Sequence, residues 1–431
     1  MGFASGSVSF RRLSVVAGAK ASKELSGVSE EMLDKIREHV LKDGGVGLPQ
    51  EIDYGWSGGR HLFDRNLSFE HNVFGDAVLF ALRVDVNKAP GELLKAYQAI
   101  EEEALAAENP SGFLSKTQKK EAKESAKAKI EEELREGRHR RSKLVPVMWD
   151  TSKATVYSPA TGKSLEMLRE IFERSFGASL EPVSAGSAAM AYMDTLGRRR
   201  DYEDLKPTRF VLGPEGEGQV PEYPWVAKGP EPKEFLGNEF LLWLWKEAET
   251  KAGIIELSDR TDATVMIDRS LDLDCAYGQT GKDSLRGDGP TKMPEARDAL
   301  RSGKLPRKAG VILETSGAQF AFNFSAEGLA FGSAKLPEIE ADNVRQLVEE
   351  RIDHIGTMCK AVDDLYAKFL KLRCSGAWSG WVGDCRKWIL ASGGTSGRRV
   401  EVEVYATNVK PASRNGEHSE DTEAAEAGGG D

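Results

Sequence analysis

Five aspartates lie close together in the second half of the chain: Asp259, Asp262, Asp268, Asp272 and Asp274. Asp272 and Asp274 alternate on an expected strand and would share one face. Paired carboxylates of this kind could hold Mg²⁺ and activate water for phosphodiester hydrolysis. Arg260 and Arg269 balance the same stretch, and no third ligand, His or Lys stands at a suitable spacing. A metal-dependent nuclease using Asp272 and Asp274 is therefore the alternative reading. The string Gly55-Trp56-Ser57-Gly58-Gly59 fits GxSxG. A nucleophile elbow, however, needs a buried strand before the serine and a helix after it. Polar Asp53-Tyr54 precede and Arg60-His61 follow, so a glycine-rich turn is expected. His61 and His71, near Asp64, Glu70 and Asp76, match no metal-ligand spacing. Gly162-Lys163-Ser164 supplies only the end of a phosphate loop, with Tyr157 where its first glycine belongs. No catalytic residue, metal or cofactor is expected.

A run of cations carries the stronger signal. Between Lys116 and Lys143 eleven positive residues face six negative ones, a net of +5. Lys116, Lys119, Lys120, Lys123 and Lys127 recur at three- and four-residue steps, which places them on one helix face. Arg138, His139, Arg140 and Arg141 are expected in a loop that enters a hairpin, with Lys143 just beyond. A line of flexible or forked cations suits a phosphate backbone and requires no base-specific donor. The competing reading is a solvated helix held by pairs such as Lys120 to Glu124 and Lys127 to Glu131. The loop arginines, with only Glu136 nearby, shift the balance toward phosphate. Lys304, Arg307 and Lys308 form a second, smaller basic group, expected just before a buried strand.

Several elements must position these residues. The chain has 431 residues, a formal net charge of -10 and a mean hydropathy of -0.44, which suits a globular chain of two or three domains. No segment approaches the ~18 apolar residues of a membrane-spanning helix. No secretory core is expected at the N-terminus, and Gly6 stands where a myristoylation signal wants Ser or Thr. Cys275, Cys359, Cys374 and Cys385 form no CxxC pair, so a reducing cytoplasm is the expected setting.

The expected order is a first strand over 7–16, a helix capped by Ser29, a buried strand over 78–86 and a helix from Pro90. A Lys-rich helix over 115–135 follows, then a hairpin around Trp149 and an amphipathic helix through Phe176. This gives an α+β domain over 1–185, built on an antiparallel sheet. Residues 186–238 read as a Pro/Gly-rich connector, and 239–337 as a second α+β domain with helices packed on antiparallel strands. A C-terminal helical region covers 338–410 and includes a long helix over 342–372. Its stripe of Leu347, Val348, Ile352, Ile355, Met358, Val362, Leu365, Phe369 and Leu372 could be core or a docking face. If it is a docking face, a scaffold that does not bind DNA is a further alternative. Residues 411–431 carry Arg414 against six acids, a net of -5, and are expected to be disordered.

From Phe113-Leu-Ser-Lys-Thr-Gln-Lys-Lys-Glu-Ala-Lys to Val147-Met148-Trp149-Asp150, the chain resembles the RdgC family of recombination-associated DNA-binding proteins. The order of the Gly55-Trp56 element, buried strand, long helix, Lys-rich helix, basic loop and Trp-Asp hairpin is similar. So is the later step Arg297 to Lys304 followed by Val311-Ile312-Leu313 and Phe320 to Phe324. The resemblance covers roughly residues 7–336, with gaps, and its motifs are diffuse. It implies a ring-shaped homodimer that encircles duplex DNA without sequence preference and limits recombinase filaments in the cytoplasmic nucleoid. By position, residues 113–145 would form the family's finger-like projection, and Arg138 to Arg141 would lie in it. His139 would occupy about the place of the aromatic residue common in the family's finger loop, and Lys304 would approach the central hole. The stretch 203–232, the helix over 342–372 and the acidic tail have no counterpart in shorter members.

Overall fold

Ser29 accepts a hydrogen bond from the Met32 amide, and the helix it caps buries Met32, Leu33 and Ile36. The computed structural model describes residues 2–42, 51–109, 112–211, 233–275 and 281–391. In chain order the elements are β1 (Val8–Val16), α1 (Ala19–Glu24), α2 (Glu30–Glu38), β2 (Ile52–Ser57), α3 (Phe69–Asn72), β3 (Val73–Phe74) and β4 (Ala77–Asn87). Then come α4 (Gly91–Glu108), α5 (Lys116–Arg135), β5 (Arg140–Asp150), β6 (Thr155–Ser158), α6 (Lys163–Phe176), β7 (Ser179–Pro182), α7 (Ala185–Thr195) and α8 (Arg199–Glu203). The remainder is α9 (Phe235–Thr250), β8 (Ile254–Glu256), β9 (Asp262–Cys275), β10 (Lys282–Gly287), α10 (Pro294–Arg301), β11 (Lys304–Thr315), β12 (Ala318–Ser325), β13 (Ala330–Lys335), α11 (Val344–Arg373) and α12 (Trp378–Leu390).

The molecule is mixed α+β, with a large antiparallel sheet. Strand order is β10-β9-β11-β12-β13-β1-β6-β5-β4-β2, with β3 on β4, β7 on β1 and β8 on β9. Strand β1 joins two halves. Val8 and Phe10 pair with β13, whereas Arg11 to Ser14 pair with β6 and Leu13 to Val16 with β7. Its side chains divide in the same way. Phe10 stacks on Phe331 at 4.9 Å in one core, and Leu13 lies in the other.

The first core lies between the β4–β5–β6 strands and helices α2 and α6. Trp149 meets the edges of Phe172 and Phe176 there, at 5.0 and 4.9 Å. The second gathers α7, α9, α11 and α12 on the β9–β13 strands. Helix α9 is apolar nearly all round and is correspondingly buried on almost every side. Helix α11 would run about 45 Å, and its apolar stripe points into this core: Val348, Ile355, Met358, Val362, Leu365 and Phe369 are all buried. The stripe therefore packs within this chain and is not an open docking face. Arg12 reaches from β1 to Asp363 on α11 with bonds of 2.6 and 2.8 Å. Burial pushes the Cys359 and Cys385 thiols up to about 12, which leaves both as inert packing groups.

Outside the basic groups, the structure departs from the sequence expectations at four places. Residues 186–203 are not connector: α7 and α8 occupy them, and Ser184 with Ser187 forms a capping box that starts α7. Ala185, Gly186 and Ala189 then pack α7 closely, a small-residue face without the large apolar period that marks a helix in sequence. The Asp53–Ser57 stretch is strand β2 rather than a turn. Gly55 allows it to pass Leu41, whose backbone nitrogen would lie 2.6 Å from an added Cβ. The separate strands that the sequence predicts over Thr264–Ile267 and Leu271–Cys275 are one strand, β9, in which Arg269 adopts a positive φ of 63°. Strand β10 escaped the sequence reading because it is a polar sheet edge. The segment 212–232, the end of the expected helical region and the acidic tail lie outside the described residues. Among the described residues no helix is long and apolar enough to cross a membrane.

Candidate nucleic-acid interface

Strands β4 and β5 pair without interruption from Ala77↔Asp150 to Asn87↔Arg140. The chain between Asn87 and Arg140 therefore leaves and re-enters the sheet at one point, and it does so as the helical pair α4–α5. Helix α4 buries no residue, and α5 buries only Ala122 and Ala126. The pair is held mainly by contacts between its own helices. Tyr97 donates to Glu133 at 2.5 Å, and Lys129 pairs with Glu101. At its base Asn87 donates to the Leu134 carbonyl at 2.8 Å. At its turn Ser115 and Gln118 form a capping box, and Asn109 donates to the Phe113 carbonyl.

Lys116, Lys119, Lys120, Lys123 and Lys127 are all exposed on α5. They span about 16 Å at the helical rise. Lys127 is tied to Glu124 at 2.9 Å. The other four make no ion pair among the described residues, so the Lys120–Glu124 bridge of the competing reading is absent, although Glu124, held low mainly by Lys127, also feels the charges of Lys120 and Lys123. A helix hairpin that buries so little of its own surface can keep such a row, because no packed neighbour brings acids against it.

The arginine cluster is arranged differently from the sequence expectation. Arg140 and Arg141 belong to strand β5, not to a loop. Arg140 binds Asp85 with bonds of 2.5 and 3.0 Å, and Arg83 holds the same carboxylate from the buried side. Burial works against the charged Asp85 carboxylate, but hydrogen bonds from Arg83, Ser142 and Arg140 hold its pKa below the usual range. Arg138 sits 2.6 Å from Glu136 and 3.8 Å from Glu133. His139 is turned back onto Glu133 at 2.7 Å. Hydrogen bonds from Tyr97 and His139 hold the Glu133 carboxyl low. Arg138, His139 and Arg140 thus each have an acidic partner: Glu136 lies two residues from Arg138, whereas Glu133 and Asp85 are brought to His139 and Arg140 by folding. Arg141 and Lys143, two residues apart on β5, are exposed and make no ion pair among the described residues.

The second basic group lies inside β11 rather than ahead of it. Lys304 is buried and binds Asp283 at 2.5 Å. Arg307 bridges Glu327 at 2.6 Å and Asp274 at 3.0 Å. Lys308 alone of the three is exposed without an ion pair. The acidic series has the complementary arrangement. Asp272 pairs with Arg286 at 2.7 Å, and Asp274 with Arg307 and Lys282. Burial opposes the Asp272 charge, yet hydrogen bonds from Arg286 and Ser284 hold its carboxyl low. Among the described residues no three His, Cys, Asp or Glu side chains converge as a ligand set. Ser57 is buried and donates to the Asp64 carbonyl at 2.8 Å.

The sequence reading missed Phe113. It lies in the α4–α5 turn, beyond the break at Asn109, and is 83% exposed. The signal was present as a single large aromatic between a Pro-Ser-Gly turn and a polar helix. His139, by contrast, sits at the base of the hairpin. Compared with known proteins, the chain matches no family model, and no curated protein matches it.

Proposed function

We propose that the chain is a sequence-independent double-stranded DNA-binding protein of RdgC-like type. The observation that carries this reading is the row Lys116, Lys119, Lys120 and Lys123: exposed, without an ion pair among the described residues, and borne on a hairpin that stands off the sheet. Arg141, Lys143 and Lys308 add cations for phosphate. Arg138, His139, Arg140, Lys304 and Arg307 serve the fold through their acids. In a ring-shaped homodimer around DNA, the hairpin is the finger-like projection, and Phe113 rather than His139 is the aromatic at its turn. The protein acts without catalysis in the cytoplasmic nucleoid, and it restrains recombinase filaments by occupying duplex DNA.

Duplex affinity should fall steeply with salt, by about 0.9 in log-log slope for each phosphate contacted. Encirclement also predicts slower dissociation from closed circular DNA than from linear DNA of equal length. Equal dissociation from both forms would remove the ring. Metal-dependent cleavage that disappears in Asp272→Ala would replace this reading with the nuclease.

A further inference from the structure

Strands β4 and β5 are apolar on both faces over part of their length. One face sends Val78, Phe80, Leu82, Val145, Val147 and Trp149 into the first core. The other carries Leu79, Ala81, Leu144 and Pro146, and all of these but Ala81 remain partly exposed. A strand pair with two apolar faces normally has both covered. Here Phe3, Ala4 and Gly59, with Val344 and Val348 of α11, border the second face without filling the space over it. They leave a cavity of about 680 Å³, and Val344 at its border is 76% exposed. That size and apolar lining are those of a small-molecule site. Ala4, Gly59 and Ala81 carry no side chain beyond a methyl group, which is why the segments close in and the space stays open.

The charges around this cavity already have partners within the chain. Arg83 and Asp85, further along the same strand face, are buried and bind each other at 2.8 Å. Arg60 grips Asp64 with bonds of 2.9 and 3.0 Å. Arg345 donates to the Glu70 and Val73 carbonyls and pairs with Glu349 at 3.0 Å. The Glu70 carboxylate and the His71 ring are exposed at the rim, where water can solvate them. The interior therefore holds no group to compensate an ion, and burying an uncompensated charge is costly.

We propose that this cavity binds an uncharged, hydrocarbon-rich molecule of the long-chain alcohol class, lying along Leu79, Leu144 and Pro146 and covered by Val344 and Val348. The apolar interior supplies the affinity, and the paired charges around it exclude anions and cations alike. No residue of α5 lines the cavity, so the proposal does not depend on DNA binding.

The test is displacement of Nile red, an uncharged fluorescent dye, from the full chain by straight-chain primary alcohols of increasing length. Displacement should saturate at one alcohol per chain. Affinity should rise about fourfold per methylene until the cavity is full, then level off. The matched carboxylate and the matched alkyltrimethylammonium should each bind about tenfold more weakly than the alcohol. Leu144→Trp fills the cavity and should abolish binding. Val344→Glu places an acid in the exposed first turn of α11, where the helix dipole favours it, and should weaken alcohol binding roughly threefold. Absence of saturable binding at every chain length would overturn the proposal. So would either charged molecule binding as tightly as the alcohol, or wild-type affinity in a folded Leu144→Trp. If Leu144→Trp fails to fold, wild-type affinity in Val344→Glu decides against the site.

Discussion

Replacing Lys116, Lys119, Lys120 and Lys123 together by Gln removes four exposed charges that make no ion pair among the described residues. Gln and Lys have similar helix propensities, so α5 should persist. At exposed positions each substitution should change stability by no more than about 0.5 kcal/mol, or about 2 kcal/mol for all four. If each lysine neutralises one phosphate, the log-log salt slope should become shallower by about 3.6. Between about 50 and 200 mM salt, that difference is worth roughly 150-fold in affinity. The assay is fluorescence anisotropy with a labelled random duplex across a salt series, with urea denaturation run in parallel. Lys304→Gln is the control: its charge already belongs to Asp283, so it should leave the slope unchanged. A quadruple variant that folds and keeps the wild-type slope would refute the assignment of the interface. A control that flattens the slope as much as the quadruple variant would refute the use of ion pairing to separate binding cations from structural ones.

Further outcomes follow from the same contacts. Asp85→Asn removes the carboxylate that holds two arginines and should cost about 3 kcal/mol or more in urea denaturation. Because the folded Asp85 pKa lies below its unfolded value, its contribution to stability is present above the ordinary 3.8 and is lost as pH falls through the lower folded value. Denaturation curves from pH 7 to pH 2 should therefore show an acid loss that is smaller in Asp85→Asn. Asp363→Asn strands the Arg12 guanidinium, whose side chain is 9% exposed. The cost should be about 2 kcal/mol in thermal or urea melts, less than for a fully buried pair because Asp363 is half-exposed. Phe113→Asp should leave stability unchanged but weaken self-association in sedimentation equilibrium. Removing residues 411–431, net -5, should tighten duplex binding if the tail competes for the lysines, and gel shifts at low salt measure it.

Local periodicity made several elements legible from the amino acids alone. Helix α2 follows from a serine, two glutamates and an apolar stripe, because capping and helical repeat involve residues within about two turns. The lysine face of α5 is legible for the same reason: spacings of three and four residues fix a direction around the axis. The strand at Ala77–Asn87 and the hairpin at Trp149 announce themselves by continuous apolar runs. Which charges remain available was not legible, because that depends on strand register and packing rather than spacing. Asp85 lies 55 residues from Arg140 and reaches it across the β4–β5 pair. Asp283 reaches Lys304 from a polar edge strand that carries no apolar signal. The direction of the α11 stripe was equally undecided, since an apolar face looks the same whether it meets its own core or another molecule. Tertiary structure settled it by placing α9 and the β9–β13 strands against that face. The same closure determined which basic residues stabilise the fold and left four lysines facing outward.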